Sequence, residues 1–404
     1  MHFLYNIGIR LMQGYVAVAA LFSAKLRARH RGDAQAFDAL ERCRGERYVW
    51  FHAASLGEFE QARPMIERLR KQQPDRKILL TFFSPSGYEI RKNYACVDVV
   101  CYLPFDTPFN VRRFLDLVNP SQAIFVKYEF WANYLLELHR RQVPTYLISS
   151  IFREKQLFFK PYGGFFRSLL HCYTHIFVQD EASKRLLENA GVEHVTIGDD
   201  TRFDRVSDIA AAARQLPIAE AFARNSNVLV VGSSWEPDED LLVRYINANQ
   251  DICKMIIAPH VVSSKHIESL CEKLRCNFVL YTQTTPDEAA KAHCLVVDTI
   301  GVLSSLYQYG RVAYIGGGFG VGIHNTLEAA VWGMPVVFGP NYRKFREAHD
   351  LIACGGGFSI RSYRQLEDLV TALFNDHEAA RHASDYVKQH VGATDKIFGM
   401  IFDN

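Results

Sequence analysis

Ala313-Tyr-Ile-Gly-Gly-Gly-Phe-Gly-Val-Gly-Ile-His-Asn-Thr-Leu-Glu-Ala-Ala330 opens as a short apolar run, turns through five glycines and closes on a helix-forming segment. Strand, glycine turn and helix in that order make the βα half of a Rossmann-like unit. In such a unit backbone N–H groups can approach a phosphate, and a helix amino terminus favours negative charge. The stretch is not a Walker loop, because no Gly-Lys-Ser/Thr follows. It is not the dinucleotide fingerprint either, which belongs after the first strand. Gly317 and Gly318 are candidate phosphate-contacting positions, and Glu328 can take both hydroxyls of a nucleotide ribose. Asn325 and Glu328 equally have the spacing of a capping box, which needs no ligand.

The same alternation extends in both directions. Apolar runs at Tyr48–Ala53, Ile78–Phe82, Val97–Leu103, Ala123–Lys127, Thr145–Ser149 and His175–Gln179 are separated by helical segments, one reaching about Lys71 and one near Phe109–Leu117. An Ala-rich helical stretch, Asp204–Asn225, precedes a second series at Val228–Gly232, Met255–Ala258, Phe278–Tyr281, Cys294–Val297, Val312–Gly316 and Pro335–Phe338. Short apolar runs between helices signal βαβ units and mainly parallel, doubly wound sheets. The expected fold is therefore α/β, with two Rossmann-like domains facing across a cleft, a boundary near residue 205, and ligands at the carboxyl ends of the strands.

A length of 404 residues suits two domains, and 49% apolar with 22% charged residues suits a folded chain. Lys and Arg number 46 against 44 Asp and Glu, which excludes a dedicated nucleic-acid binder. Nine scattered cysteines without a C-x-x-C pair read as reduced thiols in a cytosolic compartment.

Residues 1–24 hold a single charge, Arg10, and a basic block follows at Lys25, Arg27, Arg29, His30 and Arg31. The uncharged run from Leu11 to Ala24 is shorter than the ~20 residues a spanning helix needs. Its basic residues follow the apolar run, unlike those of a cleaved signal. Two readings remain: an interfacial helix lying on a membrane, its basic residues attracting anionic lipid on the cytoplasmic side, or an amphipathic helix packed on the body. The first is favoured, with residues 1–31 as the membrane-associating segment.

Strand-end loops carry the remaining candidates. Ser55, Gly57 and Glu58 follow the first run; Ser55 and Glu58 match a capping box, and Glu58 could also take a proton from a hydroxyl. Ser84, Ser86 and Gly87 follow the second, and Glu129 follows Ala123–Lys127. In the second half, Ser233 and Ser234 follow Val231, and Pro259 and His260 follow Ala258; by itself His260 reads as a structural histidine. Asp238-Glu-Asp240 has an acid-x-acid spacing but sits in the first turn of a helix, so no metal is expected.

Together, His52-Ala-Ala-Ser-Leu-Gly-Glu-Phe, Thr81-Phe-Phe-Ser-Pro-Ser-Gly, Tyr102-Leu-Pro-Phe-Asp, Glu129-Phe-Trp-Ala-Asn, Gly198-Asp-Asp-Thr-Arg-Phe-Asp and Gly322-Ile-His-Asn-Thr-Leu-Glu-Ala resemble the 3-deoxy-D-manno-octulosonic acid (Kdo) transferases of lipopolysaccharide synthesis, over nearly the whole chain. The resemblance implies a GT-B fold with an acceptor-binding domain over 32–205 and a donor-binding domain over 206–404, whose last helix could return to the first. It implies an inverting enzyme without a cofactor, at the cytoplasmic face of a bacterial inner membrane, moving Kdo from CMP-Kdo to a lipid A precursor. Glu58 then matches the general base and Glu129 an acidic position that stabilises the transition state. Arg202 stands where the family usually has lysine. CMP-contacting loops would be Pro259 and His260; Ile300, Gly301 and Val302; and Asn325, Thr326, Leu327 and Glu328. Lys127 stands where the family often has an acid, and Val302 replaces a usual glutamate. The rival readings are a GT-B transferase using a UDP-sugar on a lipid acceptor and a non-catalytic nucleotide-sugar-binding membrane protein. An NAD-dependent oxidoreductase is disfavoured by the first loop, Ala53-Ala-Ser-Leu-Gly-Glu, which lacks G-x-G-x-x-G.

Overall fold

The computed structural model describes residues 1–403. The chain forms two compact units: one from Met1 to Arg205 together with the segment from Gly392 onward, the other from Val206 to Val391.

In the first unit seven parallel strands, β1 (Tyr48–Ala53), β2 (Lys77–Phe82), β3 (Val99–Tyr102), β4 (Gln122–Val126), β5 (Thr145–Ser150), β6 (His175–Val178) and β7 (Val195–Ile197), lie in the order β3-β2-β1-β4-β5-β6-β7. Strand order reverses between β1 and β4, where the connections leave to opposite faces and open a crevice at the carboxyl ends. Side chains alternate across the sheet. Trp50 and Phe125 face Phe114 and Tyr134 on one side, while Val49, Phe51 and Ile124 face Phe59 and Met65 on the other. Burial on both faces explains why these strands read as continuous apolar runs.

The second unit repeats the plan with β8 (Val228–Ser234), β9 (Lys254–Pro259), β10 (Phe278–Leu280), β11 (Cys294–Val296), β12 (Val312–Ile315), β13 (Val336–Phe338) and β14 (Gly357–Ser359), in the order β10-β11-β9-β8-β12-β13-β14. Here the reversal lies between β8 and β12. The edge strands β7 and β14, Val-Thr-Ile and Gly-Phe-Ser, escape the sequence reading because polar or small residues break their apolar runs. The helical stretch expected over Asp204–Asn225 is two helices, Arg202–Ala211 and Pro217–Ala223. Pro217 bars its predecessor from helical geometry, which separates them.

The helix Ala393–Phe402 packs on the first unit, placing Ile397, Phe398, Ile401 and Phe402 in the core beside Phe59 and Met65. Asp204 anchors its start, its carboxylate accepting from the Gly392 N–H and from the N–H and hydroxyl of Thr394, each at 2.6 Å.

At the amino terminus the helix His2–Ala19 is two-sided. Ile9 and Val16 are buried, and the Tyr5 hydroxyl donates at 2.6 Å to Asp106. That buried carboxylate also accepts the N–H groups of Asn133 and Tyr134 at the start of the helix Ala132–Arg140. Burial pushes its pKa up to about 7 against these hydrogen bonds. The other side leaves Phe3, Leu4, Ile7, Leu11, Tyr15 and Val18 exposed, continued by Leu21 and Phe22. Among the described residues no helix is long and apolar enough to cross a membrane.

The next helix, Ala24–Glu41, runs unbroken through the expected boundary at residue 31. The basic block it carries is not one surface. Arg29 is buried, with its guanidinium bonded to Asp33 at 2.9 Å and to the Leu103 carbonyl and lying over the rings of Phe83 and Phe105. Arg27 donates to the carbonyls of Ala20 and Leu21, while Lys25, His30 and Arg31 remain exposed.

Phe398→Ala removes a fully buried ring and should cost about 3–5 kcal/mol. Hydrogen exchange on the intact protein is expected to show lost protection in β1 and β4, with β8 and β12 unchanged.

Candidate active site

The reversal in the first unit brings two carboxylates to one edge. Ser55 caps the helix Leu56–Gln72, and Glu58 Oε2 accepts the Ser55 N–H at 2.8 Å and its hydroxyl at 3.1 Å. The capping box therefore forms, and it holds Glu58 at the carboxyl end of β1 with Oε1 unengaged by any hydrogen bond among the described residues. Burial and then the charge of Glu129 raise the Glu58 pKa above the usual glutamate range; the Ser55 hydrogen bond and the charges of Lys127 and His52 oppose them.

Glu129 follows β4 and is only 6% exposed. His52 Nε2 lies 2.8 Å from its Oε2, the Trp131 indole donates to the same oxygen at 2.5 Å, and the Tyr173 hydroxyl donates to its main-chain carbonyl. Behind His52, Nδ1 lies 2.9 Å from the Thr81 hydroxyl, which also accepts from Trp50. His52, Thr81 and Trp131 were absent from the candidate site residues, although His52 and Thr81 each open a motif of the resemblance and Trp131 lies inside one. The strand expected to end at Lys127 ends at Val126, and Lys127 turns into left-handed backbone with φ 63°.

Ser84, Ser86 and Gly87 lie at the end of β2, beside β1. Ser84 Oγ accepts the Ser86 N–H and lies 3.0 Å from the Ser86 hydroxyl, capping the helix Pro85–Arg91. Gly87 has a packing reason, since a Cβ would meet the Phe82 ring at 2.2 Å, whereas a Cβ on Gly57 would meet nothing within 4 Å. Arg202 opens its helix and bonds Asp200 Oδ2 through Nε at 3.0 Å and Nη2 at 2.8 Å. Against burial, Arg202 and then Lys127 hold Asp200 down to about 2. The guanidinium fork is thus committed in part to its own loop.

In the second unit the glycine turn does not lead directly into a helix. The helix Leu327–Ala330 is a single turn, too short for an appreciable dipole, so the expected helix-terminus effect on an anion is absent. The Gly317 N–H, expected to face a phosphate, donates instead to Asp238 at 2.7 Å. Asp238 also accepts from the Tyr314 hydroxyl and the Trp235 N–H, so the acid-x-acid run supplies a brace for the turn. A Cβ on Gly318 would meet Gly339 N at 2.5 Å, and that contact between strand-end loops is why glycine stands there.

The capping box expected at Asn325 and Glu328 takes another form: Asn325 Oδ1 accepts the Leu327 N–H and its amide donates to Glu328 at 3.0 Å. Thr326 Oγ1 is buried without a hydrogen bond among the described residues. Ser233 adopts φ 54° at the end of β8, and Ser234 donates to Glu239. Pro259 ends β9. His260 is exposed and stacks against two neighbouring rings, with its centroid 4.6 Å from Trp235 and 4.6 Å from His324. The Trp235 indole donates to His324 Nε2 at 3.0 Å, and burial followed by the nearby His260 lowers the His324 pKa. Trp235 and His324 are thus further residues beyond those anticipated. Ile300 is 79% exposed, Gly301 turns with φ 85°, and Val302 caps the short helix Leu303–Leu306.

Residues 25–205 match the family model described as 3-deoxy-D-manno-octulosonic-acid transferase (kdotransferase). Proteins named 3-deoxy-D-manno-octulosonic acid transferase match over most of the chain: that of Aquifex aeolicus is 26% identical over 84% of this chain and 88% of its own. That of Haemophilus influenzae is 24% identical over 82% and 80%. The chain is similar to Kdo transferases over most of its length. Its fold is that of the Neisseria meningitidis UDP-GlcNAc 2-epimerase (15% identical, TM-score 0.61, covering 89% of this chain and 100% of that one) and of Acinetobacter baumannii MurG (13%, 0.55, 89% and 100%). These likenesses show the GT-B fold, built from two Rossmann-like units.

The charges around Glu58 give opposed expectations. In a carboxyl NMR titration Glu58 should take up its proton above the ordinary glutamate range. Removing the negative neighbour in Glu129→Gln should move that midpoint down, and removing the positive one in Lys127→Met should move it up.

Proposed function

We propose that this protein is an inverting glycosyltransferase that moves Kdo from CMP-Kdo to a lipid A precursor at the cytoplasmic face of the inner membrane. The observation that carries the mechanism is the pair Glu58 and Glu129 on adjacent strand ends of the first unit. A carboxylate whose pKa is raised by burial and a like-charged neighbour is a stronger base than a free one. Glu58 Oε1 takes the proton of the acceptor hydroxyl, whose oxygen forms a bond to the anomeric carbon of Kdo as the bond to CMP breaks. Glu129, fixed by His52 and Trp131, faces the positive charge that develops on the sugar. Ser55, Gly57, Ser84, Ser86 and Gly87 bound the acceptor, where the open space above Gly57 admits it.

The donor belongs to the second unit in this reading. His260, Trp235 and His324 form an aromatic edge for the nucleotide, supported by Ser233, Pro259 and the loop Ile300–Val302. The buried, unsatisfied hydroxyl of Thr326 sits beside Asn325, Leu327 and Glu328 in the same site. Gly318 brings the main chain close, and Gly317 serves through its tie to Asp238. Arg202, oriented by Asp200, supplies positive charge to the departing phosphate. The exposed apolar side of His2–Ala19 supports a helix lying on the membrane that holds the acceptor.

Transfer from CMP-Kdo generated in the assay to a tetra-acylated lipid A precursor should occur with the wild type and fall at least about a hundredfold in Glu58→Gln, within the range of general-base contributions. A folded, CMP-binding wild type that makes no product would remove the donor–acceptor assignment; an active Glu58→Gln would leave Glu58 as a helix cap alone.

A further inference from the structure

A groove of about 940 Å³ opens where the helices His2–Ala19, Ala24–Glu41 and Pro108–Val118 come together. Arg10, Arg44, Arg112 and Arg113 line it, against two carboxylates, Glu41 and Asp116. Glu41 is shared by Arg44 at 2.9 Å and Arg113 at 3.5 Å, and Asp116 is held at 2.7 Å by Arg141, which is not part of the lining. Arg10 and Arg112 pair with no acid among the described residues. The groove therefore carries positive charge that the protein leaves uncompensated.

Its surroundings are apolar on one side. At about 3.6 residues per turn, Arg10 and Gln13 fall on the flank of the first helix, adjoining the exposed stripe of Phe3, Leu4, Ile7, Leu11, Tyr15 and Val18. Phe109, another lining residue, is 73% exposed. An apolar stripe alone binds a bilayer without regard to headgroup charge, whereas guanidinium groups beside it select phosphates, which they can hold through paired N–H donors.

We infer that this groove seats the phosphate headgroup of an anionic glycerophospholipid, while the adjoining stripe of the first helix lies among the acyl chains. The inference rests on the reading of that helix as membrane-lying and adds to it a defined headgroup site. The lipid is a bulk membrane lipid, distinct from the acceptor. The helix Pro108–Val118 packs on the sheet face of Trp50 and Phe125, whereas the helix bearing Glu58 packs on the face of Val49 and Phe51.

The test is co-sedimentation of the full chain with vesicles of dioleoylphosphatidylcholine, alone or mixed with dioleoylphosphatidylglycerol. Three double variants accompany the wild type: Arg10→Gln/Arg112→Gln in the groove, Lys25→Gln/Arg31→Gln on exposed positions outside it, and Leu11→Ser/Tyr15→Ser in the stripe. The wild type should favour the mixed vesicles. The groove pair should lose that preference and bind them roughly tenfold more weakly than the pair outside, though both remove two charges of the kind an anionic surface attracts. In detergent, with the acceptor dispersed, the groove pair should keep wild-type transfer, as it would not if it held the acceptor's own phosphates. Equal losses in the two arginine and lysine pairs, an undiminished preference in the groove pair, or lost transfer in detergent would overturn the headgroup site. Binding of both vesicle types alike, abolished by Leu11→Ser/Tyr15→Ser, would overturn it while keeping the membrane-lying helix. A wild type that binds neither vesicle would remove both.

Discussion

The contact between His52 on β1 and Glu129 beyond β4 organises the carboxyl edge of the first unit. It spans the point where strand order reverses, the one place in the sheet where neighbouring connections diverge and leave room for a ligand. A carboxylate this deeply buried is costly unless hydrogen-bonded, and His52 and Trp131 meet that need on one oxygen. The Thr81 hydroxyl steadies His52 from β2 and itself accepts from Trp50. Three adjacent strands are thus cross-linked by one polar chain inside an otherwise apolar sheet. The negative charge fixed at its end adds to burial in pushing the proton affinity of Glu58 upward, so a hydrogen bond made for burial also tunes a neighbouring group.

All strands but β7 and β14 were legible because burial on two faces writes itself as uninterrupted Val, Ile, Leu and Phe, and their ends at Ser55, Glu129 and Ser233 were legible with them. What was not legible followed from contacts between distant segments. Nothing near residue 52 announces that His52 meets a glutamate 77 positions later. The glycines of the 316–322 turn suggested an exposed phosphate cradle, yet Gly317 answers to Asp238 and Gly318 to the main chain of Gly339. The basic block after residue 24 looked uniform in sequence, but helical geometry turns its members in different directions, and Arg29 ends among Phe83 and Phe105 inside the fold.

The first helix shows how one element can be fastened and still keep a free face. Its fastening is polar and local, through Tyr5 to Asp106 and His2 to Asn133, and its buried apolar contribution is small. Such a helix can stay in register with the body while its other side contacts something else entirely.

The helix Ala393–Phe402 has a temporal consequence. Its anchor, Asp204, meets Gly392 across 188 positions of sequence. During synthesis at 5–20 residues per second, the first unit waits about 10–40 s, while the whole second unit is made, before the piece that closes its core leaves the ribosome. Through that interval Phe59, Met65 and their neighbours present an uncovered apolar face, making the nascent first unit a client for chaperones until that helix emerges.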